Sequence, residues 1–222
     1  MARQSVDTGG VVVIGLGRFG TALALELERD GAEVLGIDSD ARRVNNMAGR
    51  VTHVVQADST DIEAMRQLSV QDFERAVIAI GNSLEASVLT AFVLRNLGVE
   101  NIWAKAASEA QRQILEQVGV GHVVRPEQDM GRRVAHLVRG KMLDYIEFDD
   151  GYAIVKTVPP KSIMGMPLGK SEVRSKHGVT IVGIKTPGSD FTHATPYTVV
   201  QEGDLVIVSG ARRKVELFSN QA

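Results

Sequence analysis

Val11-Val-Val-Ile-Gly-Leu-Gly-Arg-Phe-Gly20 is the stretch on which the fold turns. Four β-branched residues make a short, wholly apolar strand. Gly15, Gly17 and Gly20 follow with the spacing G-x-G-x-x-G, and the amphipathic run Phe19–Arg29 opens on the last glycine and stops before Gly31. A glycine triplet alone says little. Between a strand and a helix it is the phosphate-binding turn of a Rossmann βαβ unit. There the first glycine makes the tight turn, the second lets a phosphate approach the backbone, and the third lets helix pack on strand. The helix N-terminus adds unpaired N–H groups and partial positive charge.

Outward from this turn the same alternation repeats. Strands are expected at Val34–Ile37, Thr52–Gln56, Ala76–Ile80, Asn101–Lys105 and Val120–Val124. Helices are expected at Asp40–Met47, Asp61–Leu68, Ser83–Leu97 and Ser108–Val118. Strands alternating with helices on short loops imply parallel pairing, and near-continuous apolar strands imply a sheet covered on both faces. The expected class is α/β with a doubly wound, Rossmann-like parallel sheet.

The ends of these strands carry the polar candidates. Asp38, 18 residues past Gly20, is placed to accept hydrogen bonds from ribose hydroxyls, with Ser39 beside it; a carboxylate there disfavours a 2′-phosphate despite Arg42 and Arg43. Asp40 reads as a helix N-cap. Ala57-Asp58 ends the third strand, and Asp58 has two readings: facing an adenine, or capping the helix from Asp61. Ile80-Gly81-Asn82 closes the fourth strand, where the chain approaches the ribose or the phosphates.

After Val124 the pattern changes. Glu127–Leu143 reads as one long helix. Tyr145–Phe148 and Tyr152–Val158, either side of Asp149-Asp150-Gly151, read as a hairpin. Val179–Lys185 and Asp204–Val208 read as strands and Arg212–Phe218 as a closing helix. The expected organisation is residues 1–126 as a nucleotide-binding lobe, 127–144 as a crossover helix and 145–222 as a small α+β lobe that needs a partner to bury its core.

Composition removes other classes. In 222 residues, 25 Lys and Arg meet 27 Asp and Glu, so no basic footprint for nucleic acid exists. With no cysteine there is no disulfide, thiolate metal site or cysteine nucleophile. No apolar run nears the roughly 18–20 residues of a membrane span, and MARQSVDTGG lacks a signal-peptide core, so the expected location is cytoplasmic. The five histidines show no metal-ligand spacing, and no hydrolase, zincin or P-loop motif occurs. The chain reads as a nucleotide sensor rather than an enzyme. An NAD(H)-dependent oxidoreductase or redox sensor is the other reading, and a Rossmann-type transcriptional regulator a third without a DNA-binding signature.

Taken together, Gly15–Gly20, Asp38, Ala57-Asp-Ser-Thr-Asp61, Ala79-Ile-Gly-Asn82, Trp103-Ala-Lys105 and Pro126-Glu-Gln-Asp-Met-Gly131 resemble the RCK (regulator of potassium conductance) family of the KtrA/TrkA type. So do Gly178-Val-Thr-Ile-Val-Gly-Ile184 and Gln201-Glu-Gly-Asp-Leu-Val-Ile-Val208. A single such unit is similar to KtrA rather than to the tandem kind. The resemblance implies a homodimer assembling into an octameric ring on a membrane potassium-transporting subunit of the Ktr/Trk type, peripheral to the inner face of the membrane. It implies ATP or ADP as ligand, or NAD(H), held by Gly15, Gly17, Arg18, Phe19, Gly20, Asp38, Ser39, Ala57, Asp58, Ile80, Gly81, Asn82 and Lys105. Arg18 matches a residue that meets a γ-phosphate across the dimer interface. Glu127 matches one that places Mg2+ or another cation there. Arg174, with His177 and Pro196 as lining positions, matches a site for cyclic di-AMP. From residue chemistry alone, Arg18 and Arg174 also read as solvated arginines, and Glu127 as a carboxylate favoured at a helix start.

Overall fold

In the computed structural model, residues 9–139, 141–148 and 150–221 are described. Contacts divide the chain between Glu127 and Gln128 into two units.

The first unit runs β1 (Val11–Ile14), α1 (Arg18–Arg29), β2 (Val34–Asp38), α2 (Ala41–Met47), β3 (His53–Gln56), α3 (Ile62–Gln67), β4 (Arg75–Ile78), α4 (Leu84–Asn96), β5 (Asn101–Lys105), α5 (Glu109–Gln117) and β6 (His122–Val124). Its six strands form one sheet in the order β3-β2-β1-β4-β5-β6, with every pairing parallel. Alternate residues of β1 feed opposite layers. Val12 and Ile14 join Met65, Leu94 and Leu115 on one face. Val11 and Val13 join Ala24, Val34 and Met47 on the other. Burying each such side chain is worth roughly 1.5–3 kcal/mol, and this two-sided demand is why β1 has no polar residue. The chain leaves β1 toward β2 and β3, then returns to β4 on β1's other side. The strand order therefore reverses between β1 and β4, where open α/β sheets bind their ligands.

α6 (Pro126–Arg139) follows, with the unit boundary in its first turn. The helix expected to reach Leu143 stops at Arg139, and β7 (Met142–Glu147) begins in what was read as its last turn. Met142 and Tyr145 turn into the second core while β7 pairs with β8 (Tyr152–Thr157). That tertiary pairing overrides local helical periodicity. The antiparallel hairpin is present, and Asp149 of its expected turn lies outside the described residues.

The second unit continues with α7 (Leu168–Ser171), α8 (Val173–His177), β9 (Val179–Lys185), β10 (Thr192–His193), β11 (Leu205–Ala211) and α9 (Arg212–Ser219). Its five strands are antiparallel in the order β10-β9-β11-β8-β7. α9 drops Val215 and Phe218 into a core with Val155, Ile163, Val206 and Val208. β11 runs to Ala211, three residues past the expected strand, and α7 and β10 were not foreseen.

Candidate functional site

The glycine loop has three separable constraints. Gly15 sits at φ +95°, where a side chain is strained, and a Cβ there would also crowd the Ala79 carbonyl at 3.0 Å. A Cβ on Gly20 would fall 1.9 Å from the Gly15 carbonyl oxygen, so α1 can meet the turn only through glycine. Gly17 differs: nothing lies within 4 Å of the position its Cβ would take. Packing does not require a glycine at Gly17, and the clearance faces outward.

Gly17 is also the N-cap of α1, with no side-chain bond to the first turn and no acidic residue within it. The next four helices are each capped by a side chain: Asp40 for α2, Asp61 for α3, Ser83 for α4 and Ser108 for α5. In α1 the first-turn N–H groups are left for solvent or an anion.

Beside this loop a cleft of about 370 Å³ opens over the ends of β1 to β4. Gly15, Asp38, Ser39, Ala57, Asp58, Ile80, Gly81 and Asn82 all line it. Asp38 is 5% exposed. Its Oδ2 accepts from the Leu16 N–H at 2.6 Å and from Arg43 Nη1 at 3.2 Å, and its Oδ1 from the Asp40 N–H at 2.9 Å. Two of these donors are backbone groups, one in the glycine loop and one at the α2 cap, and they fix the carboxylate between the two. Asp40 caps α2 as read from the sequence, and the Arg42 side chain bonded to it holds its carboxyl below the usual range.

The two readings of Asp58 separate here. Asp61 caps α3 by itself, accepting from the Glu63 and Ala64 N–H groups. Asp58 instead accepts from Thr60 N–H at 2.9 Å and Thr60 Oγ1 at 2.7 Å, on the cleft wall. The Thr60 backbone and hydroxyl donors depress its pKa, so it stands ionised at the cleft.

A second cavity, about 460 Å³, continues past Gly81 and Asn82 and is bounded by Gly17, Arg18, Phe19, Lys105 and Glu127. Lys105, its side chain 12% exposed, donates to Glu127 Oε1 at 2.6 Å. Its Nζ lies 5.9 Å from the centre of the Phe19 ring. The Lys105 ammonium, with Arg18 contributing at longer range, holds Glu127 below the ordinary carboxylate range. Glu127 thus already has a cation. Among the described residues no three carboxylate or imidazole groups cluster to hold a metal ion. Among those residues Glu127 is the one carboxylate lining this cavity, so the cation expected at the dimer interface is one whose remaining ligands a second subunit would have to bring.

Arg43 borders both cavities and Ser59, Thr60 and Ser83 border the first, and none was singled out from sequence as lining the site. Arg43 lies five residues past Asp38, one turn into α2, which lets it fold back; that spacing was the available signal. Gly20 lines neither cavity, and what the structure shows of it is its packing against the Gly15 carbonyl.

In the second unit a groove of about 700 Å³ is lined by Leu168, Glu172, Arg174, Thr180 and Pro196, among others. Arg174 Nε donates to Thr180 Oγ1 at 3.3 Å. His177 is not part of it. Its ring meets Phe218 edge-on at 5.2 Å, because α8 turns that side chain toward α9. Of the three residues expected to line a ligand site, Arg174 and Pro196 border this groove and His177 does not.

The switch-point cleft, the uncapped α1 and the buried carboxylate ending β2 define a Rossmann-type nucleotide-binding fold, followed in this chain by a separate unit on an antiparallel sheet. Residues 11–126 match the TrkA-N domain and residues 153–222 the TrkA-C domain. The chain is 34% identical over 210 residues to the Ktr system potassium uptake protein C of Bacillus subtilis (strain 168), spanning 94% of this chain and 95% of that protein. It belongs to the TrkA/Ktr family of potassium-uptake proteins. Its fold is similar to that of the GsuK RCK domain, with a TM-score of 0.67 at 18% identity, covering 100% of this chain and 49% of that one. The GsuK channel bound to NAD is similar at a TM-score of 0.65 and 18% identity, covering 96% of this chain and 39% of that one. No helix among the described residues is long and apolar enough to cross a membrane.

Proposed function

We propose that this chain is a nucleotide-sensing regulatory subunit of a membrane potassium-uptake system and not an enzyme. One observation carries the ligand class: a buried carboxylate lines a cleft at the β1/β4 reversal, and the uncapped start of α1 borders the cavity that adjoins it at Arg43, Gly81 and Asn82. Asp38 takes the ribose, the α1 N-terminus takes the phosphates, and Lys105 and Arg18 extend positive charge into the second cavity. The family relationship supplies the output. The subunit works as a homodimer, assembled into an octameric ring on a Ktr/Trk-type membrane subunit at the inner face of the membrane.

ATP and ADP share every group assigned to Asp38 and to the backbone of the glycine loop, so discrimination between them falls to the third phosphate. A ligand shifts a conformational equilibrium only through differential affinity for its states. Arg18, exposed at the rim, is the residue we assign to that phosphate, reaching a neighbouring subunit's ligand. The groove at Arg174 and Pro196 is the proposed site for cyclic di-AMP, an arginine fork being suited to a phosphodiester. NAD(H) is the competing occupant of the first cleft, the similar GsuK channel having been solved with NAD.

Calorimetric titration with ATP, ADP, NADH and cyclic di-AMP tests this reading. An adenine nucleotide should bind the wild-type chain, and Asp38→Ala should weaken it at least tenfold, two charge-assisted bonds being worth about 1.5–3 kcal/mol each. Small-angle scattering should show an ATP-specific shape that Arg18→Ala loses. No binding of any adenine ligand would refute it.

A further inference from the structure

Asp38 makes one more hydrogen bond than its backbone setting requires, and the extra donor is the informative one. An ionised carboxylate offers about four acceptor positions. Leu16 N–H and Arg43 Nη1 take two on Oδ2, and Asp40 N–H takes one on Oδ1. One position is left. A ribose diol brings two donors, so full engagement requires one resident to leave. The Leu16 and Asp40 N–H groups belong to the glycine loop and the α2 cap and cannot move without unmaking both. Arg43 is a long side chain, 44% exposed, and its bond is the longest of the three at 3.2 Å. It is the resident that leaves.

Its destination follows from position and charge. Arg43 borders both the ribose cleft and the second cavity. Its nearest other carboxylate, Asp40 at 4.0 Å, is already bonded to Arg42. A phosphate chain lying between the two cavities is the acceptor that restores its pairing. A nucleotide therefore exchanges one anion for another at Arg43. A nucleoside displaces the guanidinium and returns nothing.

We propose that Arg43 is a displaceable counter-ion of Asp38 that makes this cleft select phosphorylated adenosine over adenosine. The inference rests on the nucleotide-binding reading of the cleft and adds the residue that sets its selectivity. An ordinary contact residue weakens every ligand when removed. Arg43 should do the opposite for a ligand without phosphate.

Equilibrium titration of the full-length chain with adenosine and with ADP at low ionic strength tests this. Arg43→Ala should bind adenosine several-fold more tightly than wild type and ADP more weakly, so the ADP-to-adenosine affinity ratio falls at least tenfold. Arg43→Gln, which keeps a helix-forming side chain on α2, should show the same reversal and guards against a folding artefact. Adenosine affinity that is unchanged or lower in both variants overturns the proposal. If wild type still binds ADP and Asp38→Ala abolishes it, the nucleotide reading survives that failure. A wild-type chain that binds neither compound overturns both.

Discussion

Gly17 and Gly20 stand three residues apart in one loop, yet alanine at each should fail in a different currency. At Gly20 the added Cβ would sit 1.9 Å from a backbone carbonyl oxygen, far inside contact distance, and neither α1 nor the Gly15 turn has a flexible side chain that could yield. Overpacking against backbone costs at least the roughly 1–3 kcal/mol of an ordinary core insertion. Taking about 3 kcal/mol, the melting midpoint should fall by roughly 6–12 °C for a chain of this size. At Gly17 the backbone is extended, with φ −72° and ψ −168°, and the added methyl meets nothing. Removing a glycine from a compatible site gains about 0.4–1 kcal/mol through the unfolded chain. Alanine is a poorer N-cap than glycine by a comparable amount, so the two offset. Gly17→Ala should melt within about 2 °C of wild type and yet bind ADP at least tenfold more weakly, its methyl occupying the phosphate approach. Thermal melts followed by circular dichroism, with calorimetric titration of ADP, measure both. A Gly20→Ala midpoint within 2 °C of wild type, or Gly17→Ala melting as low as Gly20→Ala, would refute the assignment of one glycine to packing and the other to ligand.

Other consequences are as direct. Lys105→Met should lower ADP affinity about tenfold, the loss of one charge-assisted bond, whereas Glu127→Gln should leave it unchanged or raise it by releasing the ammonium; the reverse order in titration would be fatal to the pairing. Asp58 has a folded pKa depressed below 3.8, so its contribution to stability is present above the unfolded value and lost as pH falls through the folded one. Asp58→Asn should therefore melt slightly below wild type at pH 7, and the gap should close once the pH is well under 3.8; a constant gap across melts at several pH values contradicts this. Phe218→Ala empties a fully buried position in the second core and should cost about 3–5 kcal/mol by denaturant titration, while ADP binding in the first unit persists.

How far the residues announce this molecule depends on the range of the forces involved. β1, the glycine turn and α1 were legible because each is specified within a few residues: β-branched burial, a positive φ, an amphipathic repeat. β5 and β9 were read to the residue for the same reason. The end of α6 was not, because Met142–Glu147 becomes strand only by pairing with β8. The β10 pairing and the insertion of β11 between β8 and β9 are likewise tertiary. At the site, the lining positions followed from strand ends, but partners did not. That Lys105 neutralises Glu127, 22 residues away, and that Arg43 rests on Asp38, are facts of side-chain reach. His177 faces Phe218 rather than the Arg174 groove, because proximity in sequence to Arg174 says nothing about which way a short helix turns each residue.

The uncapped start of α1 carries a consequence for the whole first unit. α2 to α5 finish themselves with their own Asp or Ser, so their integrity is written into the chain. α1 leaves that task to the medium, which makes a solute a component of its secondary structure. An anion bound there lends its free energy to folding, about 2.7 kcal/mol when its concentration is a hundred times its dissociation constant. Amide exchange in the first turn of α1 would then slow as nucleotide rises, and so would the turnover of the protein itself. Resistance to unfolding in this unit would then rise with the concentration of whichever anion fills that turn.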